Sequence, residues 1–288
     1  MSIDLSAAAG FMATHARVLD RRRFQHLMGE TDDAAVLAAL DAYRNPDGGY
    51  GWGLEPDLRS PESQPGAALH AFEVFADVPG PHARALCDWL DSVTLPDGGL
   101  PFALPLTVPA GTAPWWAGAD PKSSTLQITA ISAASAHLVP DVAGHPWLDR
   151  ATRYCLDAIE ALDERPPAYI LAFAVRFLDA VHDVRPEAPG LLRRLAGYVP
   201  ADGRIAVEGG KADEFLRPLD LAPLPGRPAR ALFADDVIAA DLDRVASSQQ
   251  EDGGWTVDYA KISPAGVLDW RGHATVSAIG LLRRNGRA

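Results

Sequence analysis

PDGGY at 46–50, PDGGL at 96–100 and EDGGW at 251–255 share an Asp-Gly-Gly-apolar core, and Asp202-Gly203 in VPADGR is a worn fourth copy. Asp47 and Asp97 stand 50 residues apart, as do Asp202 and Asp252. The 105 residues between Asp97 and Asp202 leave room for one copy that has lost the motif, and Asp163 in ALDERPP marks it. A fixed period of this length indicates a repeat architecture, in which each unit buries its apolar face only against its neighbours.

Upstream of the glycines the same phase holds. The residue seven before each aspartate is Leu40, Leu90, Leu195 or Val245, and the residue ten before is Leu37, Cys87, Leu192 or Leu242. This three-residue step is the buried stripe of an amphipathic helix, and the paired glycines close it because they accept left-handed backbone angles. Downstream, after a loop, come GAALHAFEVF from 66, STLQITAISAAS from 124 and GHATVSAIGLL from 272. They are small or apolar around most of their circumference, so they are expected to be buried on nearly every side.

Alternation of the two helix types predicts an all-α chain: an α/α toroid of about six outer and six inner helices, built from five degenerate helix-loop-helix repeats of ~50 residues and spanning 1–288 as one domain. Outer helices are expected near 33–44, 82–94, 146–161, 188–198 and 235–247. Inner helices are expected near 5–27, 64–77, 123–138, 167–183, 212–233 and 269–284. Pro218, Pro223, Pro225 and Pro228 break the fourth inner segment, which reads as mostly loop. An open solenoid is the rival arrangement. The outer-to-inner loops run to roughly twenty residues, and ordered loops of that length are usually functional.

With 288 residues and a hydrophobic fraction of 48%, the chain can bury a sizeable core. Its 38 acidic against 26 basic residues give a net charge of -12, which repels nucleic acid and anionic membrane surfaces. No stretch of eighteen apolar residues lacks a charge or a proline, so no membrane span is expected. The opening MSIDLSAAAGFMATHARVLD lacks the basic start and unbroken apolar run of a secretory signal, and a cytoplasmic location is expected. Cys87 and Cys155 make no disulfide framework.

An outer helix followed by QQEDGGW at 249–255, a loop and a buried helix resembles the Gln-Trp repeat of squalene and other triterpene cyclases. NPDGGYGWG at 45–53 is similar to the glycine-rich loops of protein prenyltransferase β subunits. The resemblance runs in outline from about residue 33 to 284, with the full pattern only in the last repeat. It implies that Gln249 or Gln250, with Trp255, stacks and ties neighbouring repeats together. It also implies a hydrophobic small-molecule substrate in a central cavity.

The catalytic motifs depart from that family. The acid motif Asp-x-Asp-Asp is absent; Glu30-Thr31-Asp32-Asp33 and Phe233-Ala234-Asp235-Asp236 come nearest, and each precedes an outer helix, where carboxylates cap amides and complement the dipole. The magnesium motif Asp-Asp-x-x-Asp and the zinc ligands Asp-x-Cys are absent too. Neither a metal nor an organic cofactor is expected, and no dinucleotide or phosphate loop occurs.

Candidate site residues cluster where loops enter inner helices. In GWGLEPDLRSPESQP at 51–65, Glu55 and Asp57 are candidate acids, with Gln64 and Trp52 beside them; Trp52 and Leu54 are expected to bury the loop, which raises carboxylate pKa values. In PFALPLTVPAGTAPWWAGADPKSST, Trp115 and Trp116 suit an apolar or cationic guest, and Asp120 is a third candidate acid. At the last inner helix, Trp270, Arg271 and His273 form a third group, with His273 as base or hydrogen-bond donor. Together they predict a terpene cyclase-like or prenyltransferase-like enzyme that cyclises or isomerises a hydrophobic metabolite through a carboxylic acid. A carbohydrate-active hydrolase or lyase on the same scaffold, and a non-catalytic binding toroid, are the alternatives.

Overall fold

The computed structural model describes residues 3–259 and 262–288. Among them the chain is all-α apart from one two-stranded hairpin. In order come α1 (Leu5–His15), α2 (Val18–Leu27), α3 (Asp33–Asp41), α4 (Pro65–Asp77), α5 (Ala83–Val93), the short α6 (Pro114–Ala117) and α7 (Leu126–His137). Then follow α8 (Pro146–Glu160), α9 (Ala168–Val181), α10 (Ala188–Ala196), the short α11 (Pro218–Leu221), α12 (Asp235–Ser247) and α13 (Pro264–Arg284). Strands β1 (Ile205–Ala206) and β2 (Phe215–Leu216) pair antiparallel. The backbone forms two compact units, Leu40–Leu195 and Met1–Ala39 with Ala196–Ala288.

The Asp-Gly-Gly strings form one turn three times over. The first glycine donates to the carbonyl three residues back (Gly48 to Asn45 3.1 Å, Gly98 to Leu95 2.9 Å, Gly253 to Gln250 2.9 Å), and that residue donates back to the second glycine's carbonyl. The first glycine sits at φ +92°, +92° and +91°, a left-handed angle that a side chain disfavours. The aspartate accepts from the second glycine's N–H at 2.9, 3.1 and 3.1 Å. Its carboxylate then binds the segment that follows the loop: Ser63 Oγ, just before α4, on Asp47 (2.8 Å), Ser124 Oγ, just before α7, on Asp97 (2.6 Å), and both terminal nitrogens of Arg271, within α13, on Asp252.

Packing crowds both glycines as well. A Cβ on Gly49 or Gly99 would lie 2.5 Å from the Cβ of Ser63 or Ser124, so the second glycine lets turn and inner helix touch. A Cβ on Gly48 would meet the Ala85 carbonyl of α5 at 3.0 Å, and one on Gly98 the Arg150 carbonyl of α8 at 3.1 Å. Each first glycine therefore seats its turn on the backbone of the following outer helix. In the other unit, a Cβ on Gly253 would lie 2.2 Å from the Ala7 carbonyl of α1.

Gln249 fastens that seat. Its side chain accepts from the Asp4 N–H at 2.8 Å and donates to the carbonyls of Asp4 and Gly253 at 2.8 and 2.9 Å. Trp255 is buried and donates its indole N–H to the Val245 carbonyl at 2.7 Å. The tying role thus falls to Gln249, while Trp255 fixes its own outer helix.

Packing follows the two helix types. Leu40, Leu90, Leu195 and Val245 are all buried, as are Cys87, Leu192 and Leu242, whereas Leu37 is half-buried and Val36 takes the inward position. α7 is buried from Ile128 to Ala136 and packs against α4, α8 and α9. α13 departs from the expected pattern: it starts at Pro264 and buries one side only. Residues 5–27, expected as one inner helix, break at Ala16–Arg17. Arg17 leaves helical geometry there and pairs at 2.6 Å with the fully buried Asp20, a carboxylate in the first turn of α2. α2 packs on α13. Between 200 and 233 the prolines leave the β hairpin, α11 and a 3-10 turn where an inner helix would stand.

Asp32 caps α3 by accepting from the Ala35 N–H at 3.0 Å, the structural role expected of the Asp-Asp pairs. Among the described residues no helix is long and apolar enough to cross a membrane. Replacing Gly253 with alanine should destabilise the protein by about 2–4 kcal/mol, the sum of left-handed strain and overpacking. Gly10→Ala, at an α1 position with nothing within 4 Å, should instead stabilise it by about 0.5–1 kcal/mol. Urea midpoints of the two variants check the pair; equal shifts would remove the packing argument.

Candidate active site

In the unit Leu40–Leu195, the loop between α3 and α4 folds back into the interior. Gln64 N–H donates to the Tyr50 carbonyl (2.9 Å) and Trp52 N–H to the Ser60 carbonyl (2.7 Å), so the two arms of the loop run side by side. Gly51 permits this, since a Cβ there would lie 2.3 Å from the Glu62 carbonyl. Within the arms Leu54, Glu55, Asp57, Leu58 and Ser60 are buried. Leu54 performs the burying role expected of it. Trp52 does not: it is 58% exposed, adopts φ +57°, and donates its indole N–H to Asn45 Oδ1 at 2.8 Å.

Glu55 reaches α4 from this loop. Its Oε1 accepts the Asp57 N–H at 3.0 Å, and its Oε2 lies 2.8 Å from His70 Nε2. The other ring nitrogen, Nδ1, lies 2.8 Å from Glu73 Oε2. Each of these two contacts between a ring nitrogen and a carboxylate oxygen needs a proton, so the group holds two, and a cationic His70 between two carboxylates supplies both. Burial alone would lower the His70 pKa, but the Glu73 charge and the hydrogen bonds to Glu55 and Glu73 outweigh it and push it up to about 10.

An aromatic wall stands beside this group. A Cβ on Gly66 would lie 3.1 Å from Trp116 Cη2 and 3.6 Å from Glu55 Cγ, so the glycine keeps the Trp116 ring edge close to the Glu55 methylene. Trp116 is buried and stacks on Phe102, with ring centroids 4.3 Å apart. The loop that carries both rings is bound to the first loop at three places. Gln64 exchanges hydrogen bonds with the backbone of Leu104, Ala113 N–H donates to the Asp57 carbonyl at 2.8 Å, and Glu62 accepts from Thr107. Burial raises the Glu62 pKa, but bonds from Ser60 and Thr107 prevail and hold it down to about 2.

No protein-family model matches the chain, and no curated protein matches it. Among solved structures it is similar to one titled "Crystal structure of a protein from Actinoplanes", over 98% of this chain and 89% of that one, with a TM-score of 0.51 and 19% identity. Likeness at that identity speaks to the fold alone.

Of the expected site residues the structure brings Glu55 onto His70, with the Asp57 N–H on Glu55 Oε1 and the Trp116 ring edge beside the Glu55 methylene. Gln64 is spent on Leu104 and acts as a tie between loops. Asp120 does not fit an acid role: it is exposed, and its carboxylate accepts from Lys122 N–H and Ser123 Oγ within its own turn, which lowers its pKa. Trp115 is exposed. In the other unit, Arg271 is bound to Asp252 and lies 4.4 Å over the Phe11 ring, a structural position in the turn. Trp270 packs edge-on against Tyr259 and His273, and His273 Nε2 lies 3.4 Å from Ser277 Oγ.

Sequence reasoning missed His70 and Glu73. Their only mark is an i,i+3 His–Glu pair inside a helix otherwise filled with Gly, Ala, Phe and Val. A His70 pKa raised from 6.5 to about 10 makes a stabilising contribution that is fully present below about 6.5 and is lost as pH rises through about 10. Over that interval the urea midpoint of the protein should fall more steeply than that of His70→Gln. Parallel curves would mean that native His70 is neutral.

Proposed function

We propose that this chain is an enzyme on an α/α toroid of the terpenoid cyclase and protein prenyltransferase type, and that it isomerises a hydrophobic metabolite by moving a proton at Glu55 and His70. The toroid reading draws on the seating of each Asp-Gly-Gly turn on a further helix: α5, α8 and α1 in turn. An open solenoid would leave its last turn without a following helix, whereas Gly253 rests on α1 and Gln249 fastens it there.

The chemical reading rests on one observation: a buried histidine hydrogen-bonded at 2.8 Å through each ring nitrogen to a carboxylate. Buried, strongly shifted groups of this kind are enriched at functional sites. In this reading the resting proton is on His70, between its two carboxylates, rather than on a neutral carboxylic acid. Passing the Nε2 proton to Glu55 turns an ion pair into two neutral groups, and Glu55 can then protonate a substrate. When another carbon of the substrate loses a proton, Glu55 and then His70 recover it, so the cycle consumes no acid.

A donor whose protons are held by two carboxylates is too weak for an isolated alkene. It suits a substrate activated next to the proton, such as an enone or an unsaturated aldehyde. Trp116 and Phe102 supply apolar surface and an electron-rich ring for such a guest.

The test incubates the protein in D₂O with terpenoid enones and aldehydes, with oligosaccharides as the contrasting class. Deuterium incorporation with double-bond migration is expected, and Glu55→Gln or His70→Gln should reduce it by about 10²–10⁴-fold. A melting temperature raised by oligosaccharides alone, or turnover undiminished in both variants, would sink the reading.

A further inference from the structure

We infer that Glu73 is the positioning residue of this site, holding His70 through Nδ1 so that the ring presents Nε2, and only Nε2, to Glu55. The inference rests on the proton-transfer reading proposed for Glu55 and His70, and it adds the group that decides which proton moves.

Glu73 lies one helical turn beyond His70 on α4, so the helix itself sets their separation. The Nδ1 to Oε2 distance of 2.8 Å matches the Nε2 to Glu55 distance, and the ring is held at both ends. Burial separates the two carboxylates. The Glu73 side chain is 23% exposed, against 6% for Glu55 and 8% for His70. Glu73 keeps contact with water, whereas Glu55 is closed off from it.

In that step the Nε2–H bond breaks as an O–H bond forms on Glu55 Oε2. His70 goes from cation to neutral and Glu55 from anion to neutral. The Nδ1–H stays on the ring, donated to Glu73. If Nδ1–H had no acceptor, a buried donor would be left unsatisfied and the ring would lose its reason to keep this orientation. The Glu73 charge is also the largest influence raising the His70 pKa, against the opposing effect of burial.

The experiment is ¹⁵N NMR of the full chain labelled at histidine, followed through pH without substrate, for the wild type, Glu73→Gln and Glu73→Ala. In the wild type both His70 ring nitrogens should remain protonated well above the ordinary histidine range. Glu73→Gln keeps an acceptor and removes the charge, so its His70 should titrate about 1–3 pH units lower and lose the Nε2 proton first. Glu73→Ala should titrate low and give mixed tautomers.

A Glu73→Gln titration that overlays the wild type, or loss of the Nδ1 proton first, would overturn the inference. So would a wild-type His70 that titrates at an ordinary value, a readout that holds even where a variant fails to fold. Since no substrate is involved, a shifted titration alongside undiminished turnover in Glu55→Gln would refute the catalytic reading alone.

Discussion

In three repeats a glycine held near φ +90° lets a turn press against the backbone of another helix, α5, α8 or α1, and in the first two a second glycine lets the same turn touch the residue that leads into α4 or α7. A side chain would crowd each contact, and the aspartate between helix and glycines is consumed in holding the turn shut. The motif therefore explains why the outer helix stops where it does and why its neighbour sits where it does. It also explains why a long loop must follow, since the chain leaves the turn beside an inner helix that it has yet to enter.

That loop is where the repeats diverge. In the first repeat, Gly51 and the paired arms fold a polar stretch inward, and Glu55 reaches His70 as a consequence. Burying a carboxylate is costly unless it is paired, and here the cost is offset by a backbone N–H and an imidazolium. In the second repeat the equivalent loop carries Phe102 and Trp116 and is tied to the first by Gln64 and Glu62. Two neighbouring loops thus carry the polar and the apolar halves of the candidate site, each held by hydrogen bonds to the other.

Much of the helical content could be read from residues because its determinants are local. The stripe Leu40, Leu90, Leu195 and Val245, the glycine pairs and the prolines between 218 and 228 each act within a few residues of where they stand. The break at Ala16–Arg17 was not legible, because it depends on Asp20 being buried and needing Arg17, a fact of tertiary packing. Arg271 misled for a related reason. A cation at the mouth of a helix looks like a ligand-binding group until the partner it serves, Asp252 in the turn, is located.

The site shows the same division more sharply. Glu55 stood out because a carboxylate between apolar residues and prolines is unusual in a surface loop, whereas His70 and Glu73 fit without remark into the run GAALHAFEVF. A histidine on a buried helix is most often a satisfied core residue, and nothing along the chain distinguishes the two cases. What distinguishes His70 is that Glu55, fifteen residues away, arrives on one nitrogen while Glu73, one turn away, arrives on the other. Either carboxylate alone would leave an ordinary ion pair, net neutral and inert. Both together place two carboxylates on one buried imidazole, and the two contacts are satisfied only while the group holds two protons.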